Sequence, residues 1–171
     1  KLKYYGFDYL SFHVQIQNKG RLKNLIVGDF QSQFAQGIML GGGFGTGKGS
    51  ETVLTARRSN IGLMPYTSVN EAGFLRGLAA TVELSPRLYL TGFFSRAKRD
   101  ATLAGDTISG TVISSFHSSG LHRNISEMSK RKVITDQNAA LIIQYKSGQL
   151  DAGLMYNILN FDADVIRNHT P

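Results

Sequence analysis

Residues 28–77 read GDFQSQFAQGIMLGGGFGTGKGSETVLTARRSNIGLMPYTSVNEAGFLRG. Two features of this stretch compete to decide the fold. From about Leu22 to Leu40, Ile26, Phe30, Phe34 and Ile38 fall on one parity, with Asp29, Gln31, Gln33 and Ala35 on the other. That is the period-two pattern of a strand. The glycine run that follows contains Gly42-Gly43-Phe44-Gly45-Thr46-Gly47-Lys48-Gly49, which satisfies G-x-x-x-x-G-K. A phosphate loop would demand an α/β fold, whereas a turn between strands would leave the chain all-β. The position after Lys48 should be Ser or Thr to hold magnesium, but it is Gly49, and Ser50 comes one residue late. A phosphate loop also follows a strand buried on both faces, and a strand carrying Asp and Gln on one parity does not fit that. The glycine run therefore reads as a turn where backbones pass closely. A nucleotide-dependent enzyme built on Gly42–Lys48 is the least favoured reading.

Outward from this stretch the alternation continues. Tyr5 to Gln17 sets Phe12, Val14 and Ile16 against Ser11, His13, Gln15 and Gln17, and Asn18-Lys19-Gly20-Arg21 supplies a tight turn. Gly41 to Asn70 has no sustained period and reads as a long inserted loop, with a short helix or strand near 51–57 as an option. Loops of this length are usually functional or folded inward. Phe74 to Leu84 and Leu88 to Lys98 form a hairpin around Ser85-Pro86-Arg87. Arg96 to Arg99, continuing to Gly105-Asp106, reads as a basic loop, and Thr107 to Ser118 as a further strand. Asn124-Ile125-Ser126-Glu127 resembles a capping box and predicts a short helix over 125–132. Asn138 to Lys146 and Gln149 to Asn160 form a last hairpin around Ser147-Gly148. About seven long strands follow in consecutive antiparallel pairs, with no strand–helix–strand crossover. The expected fold is an all-β, antiparallel up-and-down β-barrel of outer-membrane type. It has one long inserted loop over 41–70 and one short helix, in a single partial domain over 1–171.

Composition supports this reading. The chain holds 19 Gly and 17 Phe plus Tyr, with no Trp and 3 Pro, a β signature. With no Cys, disulfides and thiolate metal sites are excluded. The net charge of +7 permits contact with nucleic acid, anionic lipid or lipopolysaccharide, or it belongs to solvated loops. No apolar run reaches the ~20 residues of a membrane helix. The sequence starts at Lys1, directly ahead of strand-like residues, and stops abruptly at Asn168-His169-Thr170-Pro171. These ends read as those of a segment of a longer protein.

Candidate polar positions follow from the strand faces. Asp29, Gln31 and Gln33 on one face are costly in a dry core and suit a wet lumen. Arg57, Arg58, Glu71 and Arg76 form either an ion-paired network or a basic patch for an anionic ligand. Arg76 shares the parity of Phe74 and Leu78 and is placed to snorkel. Tyr66, Asn70 and Glu71 are suited to hold the loop inside a lumen by hydrogen bonds. His122, Arg123 and Glu127 gather at the predicted helix start. The four His, at 13, 117, 122 and 169, show no metal-ligand spacing. The serines lack a nucleophile elbow. No catalytic set, cofactor or metal site is expected.

GDFQSQFAQGIMLGGGFGTGKGSE, PYTSVNEAGFLRG and GLHRNISEMSKRK resemble the barrel part of Bacteroidota outer-membrane proteins that carry a helix-hairpin-helix region ahead of the barrel. The resemblance runs from about Gly28 to Asn160 and is most specific at Pro65–Gly77 and His122–Glu127. It implies location in the bacterial outer membrane, contact with outer-membrane lipid or lipopolysaccharide, and no enzymatic activity. The helix-hairpin-helix region resembles that of DNA-uptake proteins. DNA or a periplasmic partner would be engaged through that region, which is not in this sequence. The expected function is a channel, plug or docking scaffold with a polar lumen. The alternative is a soluble or periplasmic barrel that grips an anionic ligand through Arg57, Arg58 and Arg76.

Overall fold

The computed structural model describes residues 10–34, 40, 61–68, 73–106, 110–117 and 124–165. It is mostly antiparallel β-sheet. Ten strands are described: β1 (His13–Lys19), β2 (Leu22–Gln33), β3 (Gly62–Pro65), β4 (Leu75–Ser85), β5 (Leu88–Arg99), β6 (Ala101–Asp106), β7 (Gly110–Phe116), β8 (Ile134–Lys146), β9 (Asp151–Phe161) and β10 (Asp164–Val165). Among the described residues one helix, α1 (Ile125–Ser129), precedes β8.

The main sheet runs β1-β2-β4-β5-β8-β9, with β3 paired to β2, and a smaller sheet runs β10-β7-β6. Among the described residues the main sheet is not closed, because β1 and β9 lie at its two ends. Each neighbour pair in it is antiparallel. The tight turns lie where the sequence puts them. Gly20 takes a φ of +62° between β1 and β2, and Pro86-Arg87 joins β4 to β5.

The register assigns every strand residue to a face. One row crosses the sheet as Ile26, Ala79, Phe93, Ala140 and Asn157, and the adjacent row as Asn24, Thr81, Thr91, Ile142 and Met155. These residues define the inner face. It buries Ile26, Phe30, Phe34, Leu40, Leu63, Ala79, Phe93, Ala140 and Ile142 in one cluster. The same face buries Thr91, Ser95, Asn138 and Gln144. Side chains of opposite parity form the outer face, which carries Val14, Ile16, Val27, Leu78, Phe94, Leu141, Ile143, Leu154, Tyr156 and Ile158, all exposed.

Several expected boundaries move. The return strand expected to run to Leu40 is described as strand to Gln33, followed by a Phe34–Leu40 bridge, and 35–39 lie outside the described residues. The stretch expected as loop contains β3. Four residues closed by Pro65 are too short to show a period, and a proline fits there because the strand is an edge. The basic loop expected over Arg96–Asp106 is instead strand. β5 continues to Arg99 against Ile134, and β6 follows after Asp100. Alternating partners on β8 hold these charged residues in the ladder, which charge content alone does not reveal. The strand expected from Thr107 begins at Gly110 and pairs with β6, outside the main sheet. The helix forms where its cap predicts, since Asn124 Oδ1 accepts from Glu127 N–H at 2.8 Å. It stops at Ser129 rather than Lys132, whose φ of +52° is left-handed. The glycine run of 41–49 and the option of an element near 51–57 lie outside the described residues.

Candidate functional site at the base of an inward arm

β2 does two things along its length. From Leu22 to Val27 it is an ordinary member of the sheet, flanked by β1 and β4. From Gly28 to Phe34 every residue is buried, and β3 pairs with Phe30 to Gln33.

Two contacts show that this second half bends over the inner face. Leu63 pairs with Ser32, yet its carbonyl accepts from Asn24 Nδ2 at 2.9 Å. An extended strand would carry Ser32 roughly 26 Å from Asn24, so the chain must turn back between them. Likewise Phe30 pairs on the backbone with Leu75, but its ring meets Phe93, the partner of Ala79, edge-on at 5.6 Å. The bend falls at Gly28, whose φ of +108° favours glycine and whose missing Cβ makes room for the Phe12 carbonyl. Residues 29–34, with β3, form an arm across the inner face.

Asp29 is the first residue of the arm and is fully buried. Its carboxylate takes Arg76 Nε at 2.6 Å and Arg76 Nη2 at 2.8 Å, a two-point pairing that fits the planar guanidinium. Oδ2 also accepts from Phe12 N–H at 3.4 Å. The Asp29 backbone donates to the Phe12 carbonyl and accepts from Tyr66 N–H. The arm's first residue thus ties together the chain before β1, the end of β3 and the start of β4. Arg76 Nη2 also donates to the Leu10 carbonyl, and its guanidinium lies over the rings of Phe12 and Phe74. Asp29 is fully buried while the Arg76 side chain is 37% exposed, so the larger cost, about 3–5 kcal/mol, falls on removing Arg76, which leaves the buried carboxylate uncompensated.

Phe74 is shared. Its ring lies between the guanidiniums of Arg76 and Arg99, at 5.1 and 5.3 Å, and packs on Tyr66. Arg99 pairs with Asp136 at 3.1 Å and donates to the Phe74 carbonyl. Among the described residues Asp136 Oδ1 is buried without a hydrogen-bond partner. Beyond this pair a cleft of about 310 Å³ opens towards the small sheet, lined by Gly73, Asp100, Phe116, His117 and Phe161 as well as the pair itself.

Of the positions singled out in the sequence, the structure brings together Asp29, Gln31, Tyr66 and Arg76. Gln31 Nε2 reaches the Gly73 carbonyl at 3.5 Å, and Tyr66 joins through its backbone and ring. Gln33 is buried further along the arm. Arg76 is committed to Asp29, so an anionic ligand there would compete with a buried carboxylate. Glu127 stands apart in α1, where its N–H is capped by Asn124. Arg57, Arg58, Asn70, Glu71, His122 and Arg123 lie outside the described residues. Sequence reasoning missed Asn24, Phe74, Arg99 and the pairing of Asp136 with Arg99. The available signal was Arg99 on the same parity as Phe93 and Thr91, which would have extended β5 by one turn of alternation. No group of three His, Asp or Glu suited to a metal occurs among the described residues.

In comparisons with known proteins, no family model, curated protein or solved structure matches this chain.

Proposed function

We propose that this chain is a segment of a bacterial outer-membrane β-barrel, whose outer face meets lipid and whose inner face lines a polar interior. It serves as a channel, plug or docking scaffold rather than as an enzyme. One observation carries the reading. Across the main sheet, Val14, Val27, Leu78, Phe94, Ala139 and Ile158 form a continuous row, and Ile16, Leu25, Ala80, Gly92, Leu141 and Tyr156 form the next. Not one residue in either row is charged. At about 4.8 Å per strand, each row is roughly 24 Å wide. Leu154 and Val14 are 75% and 64% exposed, so the face has no cover from the rest of the described chain. A water-facing sheet would carry polar residues there.

Two further features agree with a spanning role. β4, β5, β8 and β9 are 11–13 residues long, and a tilted membrane strand needs about 9–11. The inner face pairs its polar groups across strands: Gln15 with Asn24, Thr81 with Thr91, and Asn157 with Asn138. Contact with outer-membrane lipid or lipopolysaccharide follows from the outer face. A part in uptake of DNA or another macromolecule, or a periplasmic partner, rests on the family resemblance alone.

The full-length protein should partition with the outer membrane and migrate faster on a gel before boiling than after. Recovery in the detergent-free soluble fraction, with no heat-modifiable shift, would sink the proposal. It would favour a soluble barrel that binds an anionic ligand.

A further inference from the structure

We infer that the arm formed by residues 29–34 and β3 is a built-in plug. It is hinged at Gly28, tied at its base by Asp29–Arg76 and at its far side by Asn24–Leu63, and it closes the polar interior until displaced. This rests on the barrel reading and specifies how the barrel's interior is controlled.

The arm lies across the middle of the inner face. Phe30, Phe34 and Leu63 join Ile26, Ala79, Phe93, Ala140 and Ile142 in one apolar cluster. That cluster separates two polar zones. On one side are Asn24, Thr81 and Thr91; on the other are Ser95, Asn138 and the Arg99–Asp136 pair, while Gln15 and Asn157 stand at the two ends of the apolar row. A polar solute moving along the middle of the inner face, over β2, β4, β5 and β8, would have to cross this apolar band, and hydrophobic constrictions gate by excluding water.

The arm is also built to move as a unit. Its main-chain pairing is mostly internal, between Phe30–Gln33 and Gly62–Pro65. Its pairing with β4 ends at Phe30–Leu75. On the side facing the sheet, Asn24 Nδ2 donates to the Leu63 carbonyl, while Asn24 Oδ1 accepts from Gln15 Nε2 and keeps that bond if the other opens. At the arm's base Gly28 has a φ of +108° and sits in the ladder between His13 and Gly77, and Gly77 approaches the Phe94 carbonyl too closely for a side chain. Ser32 Oγ is buried without a partner, so swinging the arm into water returns a hydrogen bond to this group.

The chain has no cysteine, so Asn24→Cys/Leu63→Cys gives a single engineered pair. The experiment uses the full-length protein in planar bilayers with potassium chloride as the probe, with and without oxidant. The inference expects the pair to cross-link readily. It expects the oxidised form to show at least tenfold fewer openings than the reduced form. Asp29→Asn/Arg76→Gln, which removes the buried carboxylate together with its half-exposed counter-charge, should open more often than the wild type. Oxidising the cysteine pair in that background should silence it.

Insertion and conduction without cross-linking would show that the arm does not lie on Asn24, and would overturn the inference. Cross-linking with unchanged conductance would also overturn it, since the arm would then be fixed packing. If the protein failed to insert, the barrel reading itself would fall. Cross-linking measured in that soluble protein would still report separately where the arm lies.

Discussion

The two halves of β2 share one strand and one alternating pattern, but they have opposite surroundings. In the first half Ile26 is fully buried and its neighbour Val27 is 45% exposed, as in a sheet with one packed face. In the second half Asp29, Phe30, Gln31, Ser32, Gln33 and Phe34 are all buried. The change occurs at Gly28, where the chain leaves the plane of the sheet. The parity that Val27 carries on the outer face becomes interior from Asp29 onward, once the strand folds over its own sheet. Its polar groups then need partners, and Asp29 finds Arg76.

The largest effect that would break this contrast comes at the arm's base. Arg76→Met leaves the Asp29 carboxylate buried without its counter-charge, and should lower stability by about 3–5 kcal/mol. The loss is read as an earlier urea midpoint in detergent by circular dichroism. A loss below about 1 kcal/mol would mean that Asp29 is not buried. Next is a matched pair along β2. Phe30→Ala removes a ring from the packed cluster and should cost about 3–4 kcal/mol. Val27→Ala, in the first half, should change the same midpoint by no more than about 1 kcal/mol. Equal effects would erase the difference between the halves.

Gly28→Ala tests the bend. The φ of +108° is unfavourable for alanine and its Cβ would meet the Phe12 carbonyl, so a loss of roughly 2–3 kcal/mol is expected. Gly20→Ala, at a φ of +62° with open space around it, should cost less, on the order of 1 kcal/mol.

The smallest effect lies away from the arm. The Asp162 carboxylate accepts from Thr135 N–H at 2.8 Å, and that bond holds its pKa below the ordinary 3.8. A depressed carboxyl pKa contributes stability above the unfolded value and loses it as pH falls through the folded one. Asp162→Asn should therefore lower stability slightly at neutral pH and converge with the wild type as pH falls below about 4, which flattens the profile. An equal change at pH 7 and pH 3 would contradict this origin.

The fold was legible where period two persists. Val14/Ile16, Leu78/Ala80/Val82 and Leu154/Tyr156/Ile158 alternate cleanly, and all fall on one face of the sheet. Turns were legible because Gly20 and Pro86 carry the required backbone geometry. Two kinds of information were not. Which strands pair across the long insertion depends on β2 meeting β4 around β3, and no local pattern encodes that. Asp29 and Arg76 were both conspicuous, but their pairing depends on the Gly28–Gly77 register, which puts residues 47 apart directly opposite each other. Charge content misled at Arg96–Arg99, where residues read as loop are strand because each has a partner on β8.

The central claim is that the two faces of the sheet meet different solvents, and β8 tests it most directly. Single cysteines at Asn138, Ala139, Ala140, Leu141, Ile142 and Ile143, each labelled with an environment-sensitive fluorophore in the full-length protein in bilayers, report the surroundings position by position. The account predicts quenching by bromine-bearing lipid tails at 139, 141 and 143, with little at 138, 140 and 142. Uniform quenching along β8, or quenching only by a water-soluble agent at 139, 141 and 143, would contradict it.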